Sequence, residues 1–310
     1  MVQVTEGPTT AARLRVVGTC GDDELARVFV AELADGARIE FVESVQPPIP
    51  RESKWVLIVS TLKGCPIRCP FCDAGGRYRG QLSAEEILGQ IDYLIRRRHP
   101  DGRVPAPKFK IQFARMGEPA LNDAVLEVLE TLPGRYDAPG LLPSLSTVAP
   151  SGREAFFARL LEIKRRRYGG GRFQMQFSLH STDERARRQL VPAPTWSFAE
   201  IAAYGERFAG PGDRRVTLNF APAAGLPLEP RDLRALFDPA CFAVKLTPIN
   251  PTRAAARAGL RGLIDPLAAG PTEALAARFR EAGFETILSI GDLRENGIGS
   301  NCGMYAGGSG

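Results

Sequence analysis

An α/β fold, with a parallel sheet curled into a partial (β/α)6 barrel, is predicted by three features of the sequence. Across residues 51–290, strand-like apolar segments alternate with helix-forming ones in six or so units. Glycine-bearing and polar motifs fall just after those strands, and a small β-rich stretch, residues 1–50, precedes them. Strand–helix alternation reads as parallel strands joined by right-handed crossovers. In barrels of this kind the chemistry gathers at the C-terminal strand ends.

The elements follow in order. Ala26 to Ala34 and Ala37 to Val45 are strand-like, with the hairpin signal Asp35-Gly36 between them. The proline-rich Gln46 to Pro50 reads as a linker. Lys54 to Ser60 is then an apolar strand, and Ser83 with Glu86 three positions on forms a capping box that opens a helix to about Arg98. Further strands are expected at Lys108 to Ala114, Leu142 to Thr147, Phe173 to Leu179, Arg215 to Ala221 and Phe242 to Pro248. Helices are expected near Leu121 to Thr131, Gly152 to Arg167, Ser197 to Ala209, Pro230 to Phe237 and Pro271 to Ala282. A last strand, Glu285 to Ile290, leads into a glycine-rich C-terminal loop, residues 291–310, that carries Cys302.

The composition, 44% apolar and 24% charged, is that of a soluble globular protein. No apolar run approaches the roughly 20 residues that span a bilayer, and the N-terminus lacks a signal-peptide pattern, so a cytoplasmic protein without a membrane partner is expected. A net charge of +5 suits an anionic substrate but falls short of a nucleic-acid signature. The triplets Arg96 to Arg98 and Arg165 to Arg167 each close a predicted helix, where cations complement the dipole. Of six cysteines, three lie within eight residues. That clustering points to metal binding rather than disulfides.

The cluster reads Cys65-Pro-Ile-Arg-Cys69-Pro-Phe-Cys72, directly after the first predicted barrel strand. Three thiolates at this spacing can converge on one [4Fe–4S] cubane and leave its fourth iron without a protein ligand. S-adenosylmethionine (SAM) can chelate that iron through its amino and carboxylate groups, and one electron then yields a 5′-deoxyadenosyl radical. A structural zinc site would want a fourth Cys or His nearby, and none lies close in sequence.

Four later strand ends carry polar groups. Met116-Gly117-Glu118-Pro119 offers a glycine for close backbone approach and a carboxylate for the SAM ammonium. Leu145-Ser146-Thr147, Ser178-Leu179-His180-Ser181 and Thr247-Pro248-Ile249-Asn250-Pro251 follow. The second histidine, His99, ends a helix beside Pro100 and reads as a surface residue.

Taken in order, these motifs resemble a family of radical SAM methyltransferases, RlmN and its relative Cfr, which methylate carbon 2 and carbon 8 of adenine in RNA. The resemblance runs from about residue 25 to 307. It includes the Asp-Gly hairpin with Ile39-Glu40, the cluster loop, Phe113 to Asn122, Leu145-Ser146-Thr147 and Ser178-Leu179-His180. It continues through Leu190-Val191-Pro192, Asn250-Pro251 and Asn301-Cys302-Gly303 with Ala306-Gly307. The resemblance implies that Gly117, Glu118, Ser146, Ser178, His180 and Asn250 contact SAM, that Phe71 packs beside the adenine, and that Glu40 stands at the proton acceptor. It implies that Cys302, in a loop with glycines on both sides, takes a methyl group from one SAM before a second SAM supplies the radical. A flavodoxin- or ferredoxin-type electron donor and a monomeric enzyme are expected.

Two departures bear on the substrate. The family carries a second cysteine seven residues before the first cluster ligand, and here that residue is Ile58. Cys20 and Cys241 are poorly placed substitutes. The family also has a helical RNA-binding module ahead of the hairpin, where this sequence has some 25 residues. A small-molecule or peptide-sized substrate is therefore the first expectation. RNA adenine methylation, with Arg77, Arg79 and the two arginine triplets touching phosphates, is the alternative. A non-methylating enzyme that abstracts hydrogen directly is the third.

Overall fold

The structure, a computed structural model, describes residues 14–300. Its first three strands form an antiparallel meander, β1 (Leu14–Gly21), β2 (Ala26–Leu33) and β3 (Arg38–Ser44). The expected hairpin joins β2 to β3: Gly36 takes a φ of 76°, and Asp35 Oδ1 accepts from the Ala37 amide at 3.0 Å. β1 was not foreseen, although its inward positions Leu14 and Val16 alternate with exposed ones.

β3 pairs antiparallel with β4 (Lys54–Val59), so the meander and the following strands share one sheet. A separate hairpin, β5 (Leu62–Cys65) and β6 (Gly76–Gln81), frames the cysteine loop. β7 (Lys108–Phe113), β8 (Leu141–Thr147), β9 (Gln174–Ser178), β10 (Val216–Phe220), β11 (Phe242–Leu246) and β12 (Glu285–Leu288) then add to β4, each parallel to its neighbour. The result is a ten-stranded sheet in the order β1-β2-β3-β4-β7-β8-β9-β10-β11-β12.

The helices are α1 (Ala84–Arg98), α2 (Ala124–Arg135), α3 (Glu154–Arg167), α4 (Glu184–Leu190), α5 (Phe198–Phe208), α6 (Pro230–Leu236), α7 (Arg253–Arg257), α8 (Ala269–Glu281) and α9 (Arg294–Ile298). Both halves of the capping box on Ser83 and Glu86 are formed, and Ser197 with Glu200 builds a second one on α5. The short α4, α7 and α9 were not anticipated. One or two turns carry too little periodicity to register in sequence.

Period-2 alternation explains both faces of the sheet. On β7, Phe109, Ile111 and Phe113 are fully buried and join the main core with Ile87, Ile91 and Leu94 of α1 and Val125 and Leu129 of α2. Each such side chain contributes about 1.5–3 kcal/mol by leaving water. The other set, Lys108, Lys110 and Gln112, faces the opposite side. On that side Lys108, Gln174, Thr217, Ala243 and Glu285, from five different strands, line one cavity of about 530 Å³. These residues lie at or near the beginnings of their strands, opposite the motif-bearing end.

Lys110 is nearly buried, and the charges that bear on it most are those of Lys245, Lys54, Lys108 and Arg214, all cations. Burial first, and those charges second, hold its ammonium well below the ordinary lysine range. Lys110→Met is expected to stabilise the fold by about 1–3 kcal/mol at neutral pH. Because the folded pKa is depressed, the wild type loses stability as pH falls from about 10.5, the unfolded value. The gain from Lys110→Met should therefore grow between pH 10 and 7 in thermal unfolding, and a gain that is absent or constant with pH contradicts this account.

The arginine triplets do more than face a helix dipole. Arg97 and Arg98 pair with Glu43 and Asp23 of the meander, and Arg166 and Arg167 pair with Glu130 of α2. Among the described residues, no helix is long and apolar enough to cross a membrane.

Candidate active site

The chain leaves β4 at Ser60, whose peptide is clamped by Gln90 of α1: Ser60 N donates to Gln90 Oε1 at 2.9 Å and Gln90 Nε2 donates to Ser60 O at 3.0 Å. It then enters the β5–β6 hairpin and the loop holding Cys65, Cys69 and Cys72. Tight turns fold that loop, with Cys72 N donating to Cys69 O at 3.0 Å and Gly75 N to Cys72 O at 3.2 Å. Cys65 and Cys69 rest against a small apolar cluster of Ile67, Val148 and Val191.

All three cysteines are partly buried. Burial pushes Cys65 up to about 11 and Cys69 to about 12, with the nearby charges of Cys65 and Glu118 adding to the rise on Cys69. Such thiols ionise only if positive charge arrives with their partner, which suits iron. Among the described residues, no three His, Cys, Asp or Glu side chains converge on a single ion. Three partly buried thiols on one loop are a soft sulfur donor set of the kind that holds an iron–sulfur cluster.

The loop is fastened to two other strand ends. Phe71 packs edge-on against His180, ring centroids 4.9 Å apart, just past β9. Beyond β11, Thr252 Oγ1 donates to Phe71 O at 2.9 Å, and Asp73 accepts from the amides of Arg253 and Ala254 at 3.1 and 2.8 Å, capping α7. His180 itself sits at a φ of 66°, buried, with Nδ1 accepting from Ala221 N at 3.1 Å. Burial and the nearby Arg187 lower its pKa to about 3. The imidazole is therefore neutral and carries its proton on Nε2. Among the described residues, the four non-glycine residues in left-handed backbone are Arg68, Arg77, Ala149 and His180, all at this edge. Concentrated backbone strain is a mark of functional sites.

Gly117 has a φ of 100°, and a Cβ there would meet Leu62 at 2.5 Å, so only glycine lets the two strand ends approach. Glu118 is buried. Its Oε1 accepts from Thr147 Oγ1 at 2.5 Å and Ala120 N at 2.9 Å, and its Oε2 accepts from Val148 N at 2.8 Å. Burial raises its pKa to about 7, against those donors and Arg187. Ser146 Oγ accepts from Gln176 at 3.0 Å, while Ser178 offers its carbonyl to Arg187 at 3.2 Å. Asn250 lies past the end of β11, two residues before Thr252.

Three residues that matter here escaped the sequence reading. Arg187 of α4 is buried and donates to the carbonyls of Val148, Ser178 and Trp196, tying the ends of β8 and β9 together. Asn219 on β10, in register between Ser178 and Lys245, has a buried Oδ1 with no hydrogen-bond partner among the described residues. Arg115 pairs with Glu40, both side chains 1% exposed or less. The one available signal was a cation immediately ahead of Met116-Gly117-Glu118. Ile58 occupies the position of the family's second cysteine, and it packs beside the apolar cluster of Leu25, Ala26, Val28 and Val42. Cys302, with the terminal Asn301 to Gly303 motif, lies outside the described residues.

No protein-family model matches the chain. A protein of Frankia alni named "Probable dual-specificity RNA methyltransferase RlmN" is 31% identical over 299 residues, 92% of this chain and 65% of that protein. One of the same name from Parafrankia sp. (strain EAN1pec) is 31% identical over 296 residues, 88% of this chain and 72% of the relative. The chain belongs to the RlmN family.

A "Probable RNA methyltransferase" of Methylibium petroleiphilum is 36% identical over 201 residues, 64% of this chain and 49% of that protein. The chain thus spans about half to two thirds of the length of several curated RlmN-type relatives it matches. Among solved structures, a radical SAM methyltransferase from Sphaerobacter thermophilus superposes with a TM-score of 0.73 at 23% identity, over 95% of this chain and 82% of the other. Streptococcus suis SuiB bound to S-adenosylmethionine gives 0.52 at 12% identity, over 78% and 52%. Both likenesses are of fold.

Proposed function

We propose that this RlmN-family chain is a radical SAM methyltransferase that modifies adenine in RNA, with residues 51–290 as a partial barrel behind the 1–50 extension and residues 291–310 as the loop carrying Cys302. Cys65, Cys69 and Cys72 would hold a [4Fe–4S] cluster, reduced by a flavodoxin- or ferredoxin-type donor. When bound, the cluster supplies the electron for reductive cleavage of SAM. Gly117, Glu118, Ser146, Ser178, His180 and Asn250 would surround the polar groups of SAM, with the neutral His180 offering its Nε2 proton, and Phe71 would lie near the adenine.

Cys302 serves as the methyl carrier. Its thiolate attacks the SAM methyl carbon, so a Cys302 S–CH3 bond forms, the sulfonium S–CH3 bond breaks and S-adenosylhomocysteine leaves. Ile58 supplies no sulfur for opening a later thioether.

The observation that favours RNA over a small substrate is the exposed run Arg77-Tyr78-Arg79 on β6, the strand that closes the cysteine loop. Tyr78 is 44% exposed although aromatic, and the exposed Arg68 stands on the same loop. Guanidinium groups flanking an aromatic ring suit phosphates flanking a stacked base. Within the arginine triplets, Arg97, Arg98, Arg166 and Arg167 are engaged in ion pairs.

Binding of a fluorescent RNA hairpin tests this reading. Affinity should fall steeply with salt. Tyr78→Ala should cost about 1–3 kcal/mol, roughly 5- to 150-fold in affinity, with little change in salt dependence, whereas Arg79→Ala should flatten the log–log salt slope by about 1. If both variants bind RNA like the wild type, this surface is not the RNA site.

A further inference from the structure

The cavity at the beginnings of the strands is surrounded by cations that the motif-bearing edge does not use. Partners in a parallel ladder present their side chains to one face. Lys54 of β4 and Lys108 of β7 are paired in register, so Lys54 shares the face on which Lys108 lines the cavity. Lys110 lies two residues further along β7, and Lys245 lies two residues beyond Ala243 of β11, another lining residue. Period 2 puts both on that same face. Their flanking residues, Phe109 and Ile111 on β7 and Val244 and Leu246 on β11, belong to the main core behind the sheet. Arg214, just ahead of β10, completes the wall.

These cations lack counter-charges. Among the described residues, the ammonium groups of Lys108, Lys110 and Lys245 make no ion pair and donate no hydrogen bond. Lys54 donates to the neutral Gln46 Oε1, and Arg214 Nε donates to the carbonyl of Gly171 at 2.8 Å. The two carboxylates in the wall are already paired, Asp213 with Lys164 and Glu285 with Arg215. Lys110 is only 9% exposed, and the charges that bear on it most are the other four cations. A buried ammonium without an acceptor is costly, and like charges around it add to the cost. An anion of matching charge offsets both.

We propose that this cavity binds an oligophosphate, held by Lys108 and Arg214 in the wall and by Lys54, Lys110 and Lys245 on the same face of the sheet. Its volume of about 530 Å³ falls within the range of small-molecule sites, roughly 300–1,000 Å³. Lysine ammoniums serve phosphate oxygens as point charges. One phosphate carries a charge of about −1.5 to −2 near neutral pH, less than these cations together neutralise, which favours a chain of two or three phosphates. Thr217 and Gln174 add polar groups to the wall. The site is distinct from the cysteine loop: Lys108 begins β7 and Phe113 ends it, about 16 Å apart at about 3.3 Å per residue. It needs neither the cluster nor SAM. A free oligophosphate and a nucleoside triphosphate offer the same chemistry here, and the test separates them.

The full chain is titrated calorimetrically with inorganic tripolyphosphate and, separately, with ATP. Wild type should bind tripolyphosphate saturably, and its Tm should rise with ligand concentration. Lys110→Met and Lys245→Met should each weaken binding about tenfold or more, and the double variant should abolish it. Lys110→Met is expected to be more stable than wild type, so affinity lost there does not come from unfolding, and its Tm should no longer respond to the ligand. Arg79→Ala, on the exposed surface of β6, should bind like wild type. ATP bound more tightly than tripolyphosphate, with the same loss in Lys110→Met, identifies a nucleotide as the ligand, and equal or weaker binding of ATP identifies the free oligophosphate. The proposal is overturned if neither probe binds, if both lysine variants bind like wild type, or if Arg79→Ala loses as much affinity as Lys110→Met.

Discussion

Cys302→Ala is expected to abolish methyl transfer to RNA, by about 10³-fold or more, while iron content and SAM binding stay at wild-type levels. If the carbon travels through a protein sulfur, its removal leaves no lesser route, because the SAM methyl would otherwise have to reach an electron-poor ring carbon directly. Reaction with methyl-labelled SAM reads this in two places. Wild type should carry label on the peptide containing residue 302 and in the RNA, and Cys302→Ala in neither. Labelled RNA from Cys302→Ala would sink the carrier role and move the enzyme toward direct hydrogen abstraction.

Cys69→Ala should remove the iron–sulfur absorbance and all SAM cleavage. Cys69 is the middle donor, and with it gone two thiolates cannot hold a cubane. The fold should persist, since Cys69 packs on the small satellite cluster of Ile67, Val148 and Val191, apart from the main core. Cys241→Ala is the control. Cys241 stands at the entry to β11, its carbonyl accepting from Val216 N at 2.9 Å, at the opposite end of the strands from the cysteine loop. Full iron stoichiometry in Cys69→Ala, or iron loss in Cys241→Ala, contradicts the assignment of ligands.

The long strands and helices were legible because their periodicity is local. The alternation in Lys108–Phe113 and the capping box at Ser83 and Glu86 each depend on residues within one element. The short α4 and α9 were not legible, although α4 carries Arg187 and α9 brings the chain to Arg115. The same holds for the hairpin surface. Arg77 and Arg79 could be picked out as cations, but their exposure around Tyr78 is a property of β6 pairing with β5.

By itself, the sequence determined which groups are chemically able to act: three thiols at cluster spacing, a glycine ahead of a carboxylate, a histidine closing a strand, and a sulfur near the chain's end. Spacing and residue type are covalent facts, so no folding is needed to read them. Only the tertiary structure decided which groups face each other and in what state. It set His180 neutral against Phe71, fastened Asp73 to α7, and engaged Glu40 with Arg115, whose other hydrogen bonds go to residues 184 and 185 positions away in sequence. The physical reason is that hydrogen bonding and desolvation act through space. A buried guanidinium takes whatever acceptors the packed chain brings to it, and sequence separation carries no record of that choice.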